Sequence, residues 1–438
     1  MQPMQTTDTH NEQFVIEGGY RLEGEITASG SKNAALKMLP ACLLTSEPVI
    51  LENVPNIRDI QMVCELLRSI GVSVEWLDES TVRVEAREIK SHQPDPTYAA
   101  QIRSSIVLAG PMLARVGQLE LAPPGGDVIG RRRLDTHLLA LQALGATIEF
   151  NRVFHMRADK LIGANILLDE ASVTATENAV MAAVLASGRT VIRNAASEPH
   201  VQNLCDMLNS MGAHIDGIGS NQLIIEGVER LYGTTARIGA DYLEVGSYLG
   251  AAAVTGGAIR IRNADPQHLD MIALVFRKLG VEWAVDGQDV VIERGQLLRI
   301  NRDLGNAIPE IKCQIWPAFP TDMMSVALTV ATQAVGTVLF HDWMFDSRLF
   351  FTDRLISMGA RILLCDPHRA LVQGPAPLVG DQIISSPDIR AGMALIIAAL
   401  AAKGRTTIRN IQQIDRGYMN VEQKLQQLGA KIHREVIH

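Results

Sequence analysis

The chain has 438 residues, of which 47% are hydrophobic and 20% charged, and its formal net charge is −8. This length suits two domains of about 200 residues each, and the acidic balance argues against a general nucleic-acid-binding surface. The longest apolar run, at 393–402, is too short to span a membrane, and residues 1–12 lack the apolar core of a signal peptide. We therefore expect a cytoplasmic protein with a flexible N-terminal tail at 1–12 and with no nucleic-acid or membrane partner.

The cysteines are widely spaced and lie mostly within apolar stretches. No Cys-x-x-Cys pair and no Cys/His ligand spacing occurs, so the sequence predicts neither a structural zinc site nor a disulfide framework. We expect reduced thiols, and we expect no bound metal or other cofactor. The oligomeric state is left open.

The dominant pattern is a unit that occurs six times, in which an apolar helix-like stretch runs into a glycine and then into a short β-branched strand. The six glycines are Gly71, Gly145, Gly212, Gly280, Gly359 and Gly429, at intervals of 74, 67, 68, 79 and 70 residues. Each copy also contains an earlier strand that ends in a polar turn, such as GRTVIRNAASEPH at 188–200. Such a long period suits a supersecondary unit of several strands and two helices. We predict an α/β fold built from six repeated units.

Six units divide into two domains of three. We assign 32–239 to the first domain, and 13–31 together with 240–438 to the second. The chain would then cross between the domains near Ser31 and again near Asp241. The cleft between the two domains is the expected ligand site.

The segment GSKNAAL at 30–36 joins a predicted strand to a predicted helix. Ser31 and Asn33 can supply N-cap oxygens, the helix N-terminus presents free N–H groups to an anion, and Lys32 adds a positive charge. An ordinary solvated lysine is the alternative interpretation of this segment alone.

A second segment, PPGGDVIGRRRLDTH at 123–137, replaces the regular polar turn of the other units by an irregular, hinge-like loop. Asp127 lies at its centre, and arginines follow at 131–133. Positive charges at a helix start oppose the helix dipole, so the arrangement favours binding of a phosphate group. A solvated basic turn is the alternative. We expect 123–133 to be a mobile loop.

Four further arginines are predicted at the starts of apolar helices, where the dipole again disfavours them. They are Arg103, Arg348, Arg390 and Arg416. Together with Lys32 they suggest that several helix N-termini converge on one ligand with at least two anionic groups. Asp322, in FPTDMM at 319–324, also begins a predicted helix, and there an acidic cap is the alternative to a catalytic carboxylate.

Taken together, GSKNAAL, PPGGDVIGRRRLDTH, SVTATEN, FPTDMM and IDRGY make the chain resemble the enolpyruvyl transferases, over residues 13–435 and in the family's order. The resemblance implies an inside-out α/β barrel architecture of two domains with three units each, which agrees with the division reached from the repeats. It also implies transfer of enolpyruvate from phosphoenolpyruvate to the 3′-hydroxyl of UDP-N-acetylglucosamine, with release of phosphate, at the start of peptidoglycan synthesis.

The resemblance further implies that five residues are catalytic: Asp127, Asp322, Lys32, Asp388 and Arg416. Asp322 is the general base at the attacking hydroxyl. Asp127 can act as general acid if burial raises its pKa toward neutrality. Asp388 pairs with Lys32 and assists proton handling.

The implied substrate-binding residues come from both predicted domains. Those that hold phosphoenolpyruvate or neighbouring phosphate oxygens are cationic: Lys32, Arg103, Arg132, Arg390 and Arg416. Asn33 contacts the acceptor sugar, and Arg348 organises the second domain's face of the cleft. The residues that cradle the uridine are Leu134, Asp135, Ser172 and Val173.

The chain departs from the family's usual residues at several positions. Asp127 stands where a reactive cysteine is usual, and a carboxylate cannot be alkylated as a thiolate can, so we predict insensitivity to the epoxide antibiotic fosfomycin. Thr174, Met324 and the pair Asp346 and Ser347 also differ, which bears on the identity of the acceptor. Two alternatives stay open: a transferase with a different nucleotide acceptor, and a nucleotide sensor that has lost turnover.

Overall fold

The computed structural model describes residues 12–126 and 133–437. Its strands are β1 (Glu12–Glu17), β2 (Glu23–Thr27), β3 (Val49–Glu52), β4 (Ser73–Trp76), β5 (Val82–Glu85), β6 (Gln118–Leu121), β7 (Thr147–Asn151), β8 (Val153–Arg157), β9 (Asn165–Leu167), β10 (Arg189–Arg193), β11 (His214–Asp216), β12 (Gln222–Glu226), β13 (Thr235–Arg237), β14 (Ala258–Arg262), β15 (Ala284–Asp286), β16 (Asp289–Ile292), β17 (Glu310–Lys312), β18 (Gly336–His341), β19 (Arg361–Asp366), β20 (Arg369–Gly374), β21 (Gln382–Ser385), β22 (Arg405–Arg409) and β23 (Lys431–Val436).

Helices alternate with these strands along the chain. They are α1 (Lys32–Ala41), α2 (Arg58–Ser69), α3 (Pro96–Ala99), α4 (Ala109–Arg115), α5 (Asp135–Ala143), α6 (Val173–Ala183), α7 (Pro199–Ser210), α8 (Tyr242–Thr255), α9 (Asp270–Lys278), α10 (Met324–Ala331), α11 (Thr352–Ser357), α12 (Ile389–Ala401), α13 (Gln412–Asp415) and α14 (Val421–Gln427). None of the described helices is both long and apolar enough to cross a membrane.

The described strands form six sheets, which matches the number of predicted units. Five sheets have four strands, with one edge strand parallel to its neighbour and the other pairs antiparallel. Their strand orders are β13-β3-β5-β4, β11-β12-β10-β9, β15-β16-β14-β2, β17-β18-β20-β19 and β21-β22-β1-β23, and the three-stranded sheet has the order β6-β8-β7. The prediction of six α/β units is confirmed.

The repeated glycine ends the second helix of each unit. In the third unit, α7 buries Leu204 and Leu208, and Gly212 follows it with a φ of 100°. All six repeat glycines have φ between 81° and 102°, a left-handed conformation that residues with a Cβ rarely adopt. At Gly280 an added Cβ would also lie 2.2 Å from the Leu297 carbonyl oxygen. The glycine therefore fixes the turn from helix to strand.

The buried hydrophobic residues form two separate cores. The first core draws its residues from 34–238, and the second from 14–28 and 240–432. In the first core α4 packs on α6 and α1 on α7, whereas α8, α10 and α12 pack on one another in the second. Helix α12 is buried on all sides from Ile389 to Leu400, as suits a helix at the centre of a domain. Helices thus lie inside the sheets, which is the predicted inside-out arrangement.

The chain passes between the two cores at two strand-to-helix junctions that lie side by side. Strand β2 pairs with β14 of the second core although α1 follows it, and β13 pairs with β3 of the first core although α8 follows it. At this crossing Gly30 and Ala240 form an antiparallel bridge, and the Ser31 N–H donates to the Gly239 carbonyl at 2.8 Å. The first residues of α1 and α8 both reach the space between the cores.

Candidate active site

A cleft with a volume of about 480 Å³ lies between the two cores. The predicted site residues in its lining are Lys32, Asn33, Arg103, Ser172, Val173, Asp322, Arg348, Asp388, Arg390 and Arg416. Leu134 and Asp135 lie at the start of α5 and are not part of this lining. Asp127 and Arg132 lie outside the described residues. Segments that are far apart in the chain therefore meet in one cleft.

On one side of the cleft, Asp59 joins two of the predicted cations. Its Oδ2 lies 2.7 Å from Lys32 Nζ, and its Oδ1 accepts a hydrogen bond from Arg416 Nε at 2.8 Å. Lys32 is the first residue of α1, and Asp59 lies in the first turn of α2. Lys32 therefore pairs with Asp59, and the expectation that it pairs with Asp388 is wrong. We call these three residues the Asp59 triad.

The Asp59 carboxylate is an anion fixed between the two cations. Burial alone would raise the pKa of Asp59, but the nearby Lys32 ammonium and Arg416 guanidinium outweigh burial and hold this pKa below its ordinary value. Asp59 is not among the residues predicted from the sequence. Its signal was an acidic residue at a helix start, in NIRDI, which is a common feature and does not reveal the partners.

On the other side of the cleft, Asp322 joins a second pair of cations. Arg348 Nη2 donates to Asp322 Oδ1 at 2.9 Å, and Arg390 Nε donates to Asp322 Oδ2 at 3.2 Å. The two arginine side chains are 3% and 6% exposed, whereas that of Asp322 is 27% exposed. The Asp322 carboxylate is thus held in place and remains accessible from the cleft. We call these three residues the Asp322 triad.

Arg390 is held by Tyr418 as well. Arg390 Nη1 donates to Tyr418 Oη at 3.2 Å, and the same hydroxyl lies 3.1 Å from Ser247 Oγ. Burial alone would lower the pKa of Arg390, but Tyr418, Asp322 and Asp241 outweigh burial and raise it. The guanidinium is therefore charged. Tyr418 belongs to the IDRGY segment but is not among the predicted site residues.

Asp388 caps helix α12. Its Oδ1 accepts hydrogen bonds from the backbone N–H groups of Arg390 and Ala391, at 2.8 and 3.0 Å. A side chain that satisfies these N-terminal donors stabilises the first turn of a helix. Because Arg390 lies in that turn, the cap positions the guanidinium next to Asp322.

Helix dipoles do not account for every cation of the cleft. Lys32, Arg103 and Arg390 lie at helix starts as predicted, Arg103 as the first residue of the 3₁₀ helix Arg103–Leu108. Arg348, however, lies in a turn ahead of α11, and Arg416 follows the last residue of α13. The prediction that these two arginines begin helices is wrong. Their ion pairs with carboxylates explain their burial instead.

Each triad contains two cations and one carboxylate and so has a net charge of +1. Fixed charges of this kind stabilise an anion more strongly than mobile solvent does, because they need no reorganisation. The two triads together suit a small ligand with two anionic groups. No group of three or more His, Cys, Asp or Glu side chains is placed to hold a metal ion among residues 12–126 and 133–437.

The segments implied to cradle a nucleoside lie next to each other. Ser172 caps α6 by accepting a hydrogen bond from the Ala175 N–H at 3.4 Å. Asp169, shortly before it, accepts hydrogen bonds from Arg133 Nη2 at 3.0 Å and from Thr136 Oγ1 at 2.6 Å. Asp169 thereby ties the start of α5 to the start of α6.

Two solved structures share the fold of this chain. The structure of the enolpyruvyl transferase NikO from Streptomyces tendae is similar, with a TM-score of 0.86 over 98% of this chain and 99% of that chain at 23% identity. The structure of EPSP synthase from Acinetobacter baumannii gives a TM-score of 0.72 over 97% of this chain and 100% of that chain at 17% identity. The fold is that of the enolpyruvyl transferases.

Sequence comparison gives the family. The family described as EPSP synthase (3-phosphoshikimate 1-carboxyvinyltransferase) matches residues 16–425. The UDP-N-acetylglucosamine 1-carboxyvinyltransferases of Borreliella burgdorferi and Bradyrhizobium diazoefficiens are 53% and 52% identical to this chain, over 96% of it and 98% of each relative. The chain belongs to the EPSP synthase family, and the resemblance read from its five segments is confirmed.

Proposed function

We propose that the protein transfers enolpyruvate from phosphoenolpyruvate to the 3′-hydroxyl of UDP-N-acetylglucosamine and releases phosphate. The observation that carries this proposal is the pair of triads facing one cleft, since their two net positive charges match the phosphate and carboxylate groups of the donor. Relatives that are 53% and 52% identical bear the name of this activity, which supports the choice of acceptor.

In the proposed reaction the acceptor oxygen bonds to C2 of phosphoenolpyruvate while C3 gains a proton. Loss of a C3 proton and cleavage of the bond from C2 to the phosphate oxygen then give the enol ether and free phosphate. Asp322 takes the hydroxyl proton, because its carboxylate is open to the cleft and is oriented by Arg348 and Arg390. Asp127 supplies the proton to C3.

The cations bind the donor and stabilise the charge that moves between its carboxylate and phosphate groups. Their proposed members are Lys32, Arg103, Arg132, Arg390 and Arg416. Asp59 and Asp322 hold four of the cleft's cationic side chains in place before the substrate binds. These side chains therefore need little reorientation when the substrate binds. Asp388 contributes by positioning Arg390.

The acceptor occupies the remainder of the cleft in this proposal. Asn33 contacts the sugar, and the start of α6 at Ser172 and Val173 holds the uridine together with Leu134 and Asp135. The predicted domains, 32–239 and 13–31 with 240–438, close over both substrates in the cytoplasm. The division of the buried residues into two cores supports these boundaries.

Phosphate release tests the proposal. The purified protein is incubated with phosphoenolpyruvate, with and without UDP-N-acetylglucosamine, and free phosphate and the enolpyruvyl product are measured. We expect release that depends on the acceptor and equals product formation. Absence of release with UDP-N-acetylglucosamine, but release with another sugar nucleotide, would reassign the acceptor. Binding of sugar nucleotides without release would indicate a sensor.

A further inference from the structure

A buried lysine lies in the floor of the cleft and belongs to neither triad. Lys37 follows Asn33 by one turn of α1, and its side chain is 4% exposed and contributes to the cleft lining. Its ammonium nitrogen lies 3.5 Å from Glu177 Oε2 and is close enough to Lys32 and Glu198 to interact with them electrostatically. A basic side chain thus lines the cleft in addition to the cations of the two triads.

The carboxylate nearest to Lys37 is poorly suited to neutralise it. Glu177 of α6 is 0% exposed, and its Oε2 lies 3.5 Å from Lys37 Nζ. Neither Glu177 oxygen accepts a hydrogen bond from any residue that the structure describes. An ionised carboxylate without hydrogen-bond donors is strongly disfavoured in a protein interior. The geometry therefore favours the neutral, protonated acid.

The pKa directions agree with this geometry. Burial raises the pKa of Glu177 to about 8, more than the attraction of Lys37 lowers it. Burial also lowers the pKa of Lys37, and Glu177 only partly opposes this effect. An anionic ligand beside the ammonium would raise the pKa of Lys37 again, since it stabilises the charged form.

The other groups around Lys37 do not neutralise it fully either. Glu198 and His200, at the start of α7, also line the cleft, and Glu198 Oε2 and His200 Nδ1 have no hydrogen-bond partner among the described residues. Burial raises the pKa of Glu198 to about 7 and holds that of His200 well below its ordinary value. Lys32 of α1 adds a further positive charge nearby. Across the cleft, Asp322 acts to raise the pKa of His200, whereas Arg390 and His268 act to lower it.

We propose that Lys37 is a further anion-binding residue of the cleft, whose ammonium contacts a phosphate or carboxylate oxygen of a bound substrate. Glu177 stays behind it as a neutral acid and does not touch the substrate, because it does not line the cleft. The identity of the ligand rests on the proposed function. The anionic group that contacts Lys37 can belong to phosphoenolpyruvate or to the diphosphate of the sugar nucleotide.

Variants of Lys37 test this inference. Because a hydrogen bond to a charged group contributes strongly to binding, we expect Lys37→Met to raise the KM for one substrate roughly 10- to 100-fold, with a smaller change in kcat. The substrate whose KM rises identifies the source of the anion. Lys37→Gln, which disturbs packing less, is measured in parallel and should show the same loss. Lys278→Met, an exposed lysine paired with Asp303, is the matched control.

A binding measurement separates this inference from the proposed function. Calorimetry with phosphoenolpyruvate and with UDP-N-acetylglucosamine, on wild type and on both Lys37 variants, needs no turnover. Equal affinities of wild type and variants for both ligands would overturn the role of Lys37, even if wild type releases phosphate. Absence of phosphate release by wild type would overturn only the proposed function.

The variant Glu177→Gln tests whether Glu177 is neutral, as proposed. The amide has the shape and the charge of the protonated acid, so we expect affinities within about threefold of wild type. A change of tenfold or more in either direction would show that an ionised Glu177 sets the charge of Lys37, and would overturn the assignment. Thermal unfolding establishes that each variant is folded.

Discussion

Asp59 Oδ1 accepts a hydrogen bond from Arg416 Nε at 2.8 Å, although the two residues are 357 positions apart. Asp59 belongs to α2 beside the first core, whereas Arg416 follows α13 beside the second. The same carboxylate holds Lys32 at 2.7 Å. A single buried anion therefore connects the two walls of the cleft and orients two cations toward it.

Replacement of Asp59 by asparagine should destabilise the protein by roughly 3 kcal/mol at pH 7, because two largely buried cations lose their shared anion. The folded-state pKa of Asp59 is lowered, so its stabilising effect is present above the unfolded-state pKa of about 3.9 and is lost as the pH falls through the folded-state value. The difference from wild type should therefore shrink in acid.

Urea unfolding of wild type and Asp59→Asn, at pH 7 and at successively lower pH, measures this difference. Asp303→Asn removes the exposed partner of Lys278 and serves as a control with little expected effect at either pH. A difference that is constant from pH 7 into the acid range would contradict the assigned charge of Asp59.

Asp322→Asn should lower kcat by about 100-fold or more, since the amide cannot accept the hydroxyl proton. The amide oxygen can still accept a hydrogen bond from an arginine, so KM for phosphoenolpyruvate should change less. Asp388→Ala is the informative comparison, because loss of the α12 cap should cost about 1 kcal/mol of stability and affect turnover only through Arg390. Steady-state kinetics of both variants measure kcat and KM, and thermal unfolding measures their stability. Similar kcat values for Asp322→Asn and wild type would rule out a role as general base.

Tyr418→Phe should lower kcat/KM by roughly tenfold, because Arg390 Nη1 loses a buried acceptor and the guanidinium gains freedom to move. Tyr232→Phe is a matched control, since the Tyr232 hydroxyl accepts a hydrogen bond from Arg230 at an exposed site. When the phosphoenolpyruvate concentration is varied, most of the loss in kcat/KM should appear as a higher KM for phosphoenolpyruvate. An unaltered kcat/KM would show that Arg390 is positioned without Tyr418.

Fosfomycin should not inactivate the protein, because Asp127 offers a carboxylate where a thiolate would be alkylated. Activity is measured after incubation with micromolar fosfomycin and dilution, together with the intact mass. Asp127→Cys should become sensitive and should gain the mass of one inhibitor molecule. Inactivation of wild type that persists after dilution would disprove the prediction.

Part of the site could be predicted because its signals are local. The charged residues Lys32, Arg390 and Asp322 stand out at helix starts within apolar sequence, and the resemblance supplied their roles. The partners could not be predicted in the same way. In the sequence Asp59 is an ordinary acidic residue at a helix start. Lys32 pairs with Asp59 and not with Asp388, which caps α12.

The partner of Lys37 could not be predicted from the sequence either. By sequence it is one lysine within an apolar helix, and nothing there marks Glu177 as its neighbour. Only the packing of α1 near α6 and α7 brings Lys37 to 3.5 Å from Glu177 and excludes water from the carboxylate. Burial, which the sequence does not show, lowers the pKa of Lys37 and raises that of Glu177.

The six α/β units and their division into two sets of three could be predicted from the amino-acid sequence, because helix stops at glycine and the order of helices and strands depend on neighbouring residues. The family could be predicted from five short segments. Which charged side chains meet could be seen only in the folded chain. Pairs such as Asp59 with Arg416 depend on how two cores are placed against each other, and the chain crosses between those cores at Gly30 and Ala240. Coulomb energies vary with distance and burial, and both are properties of the folded chain.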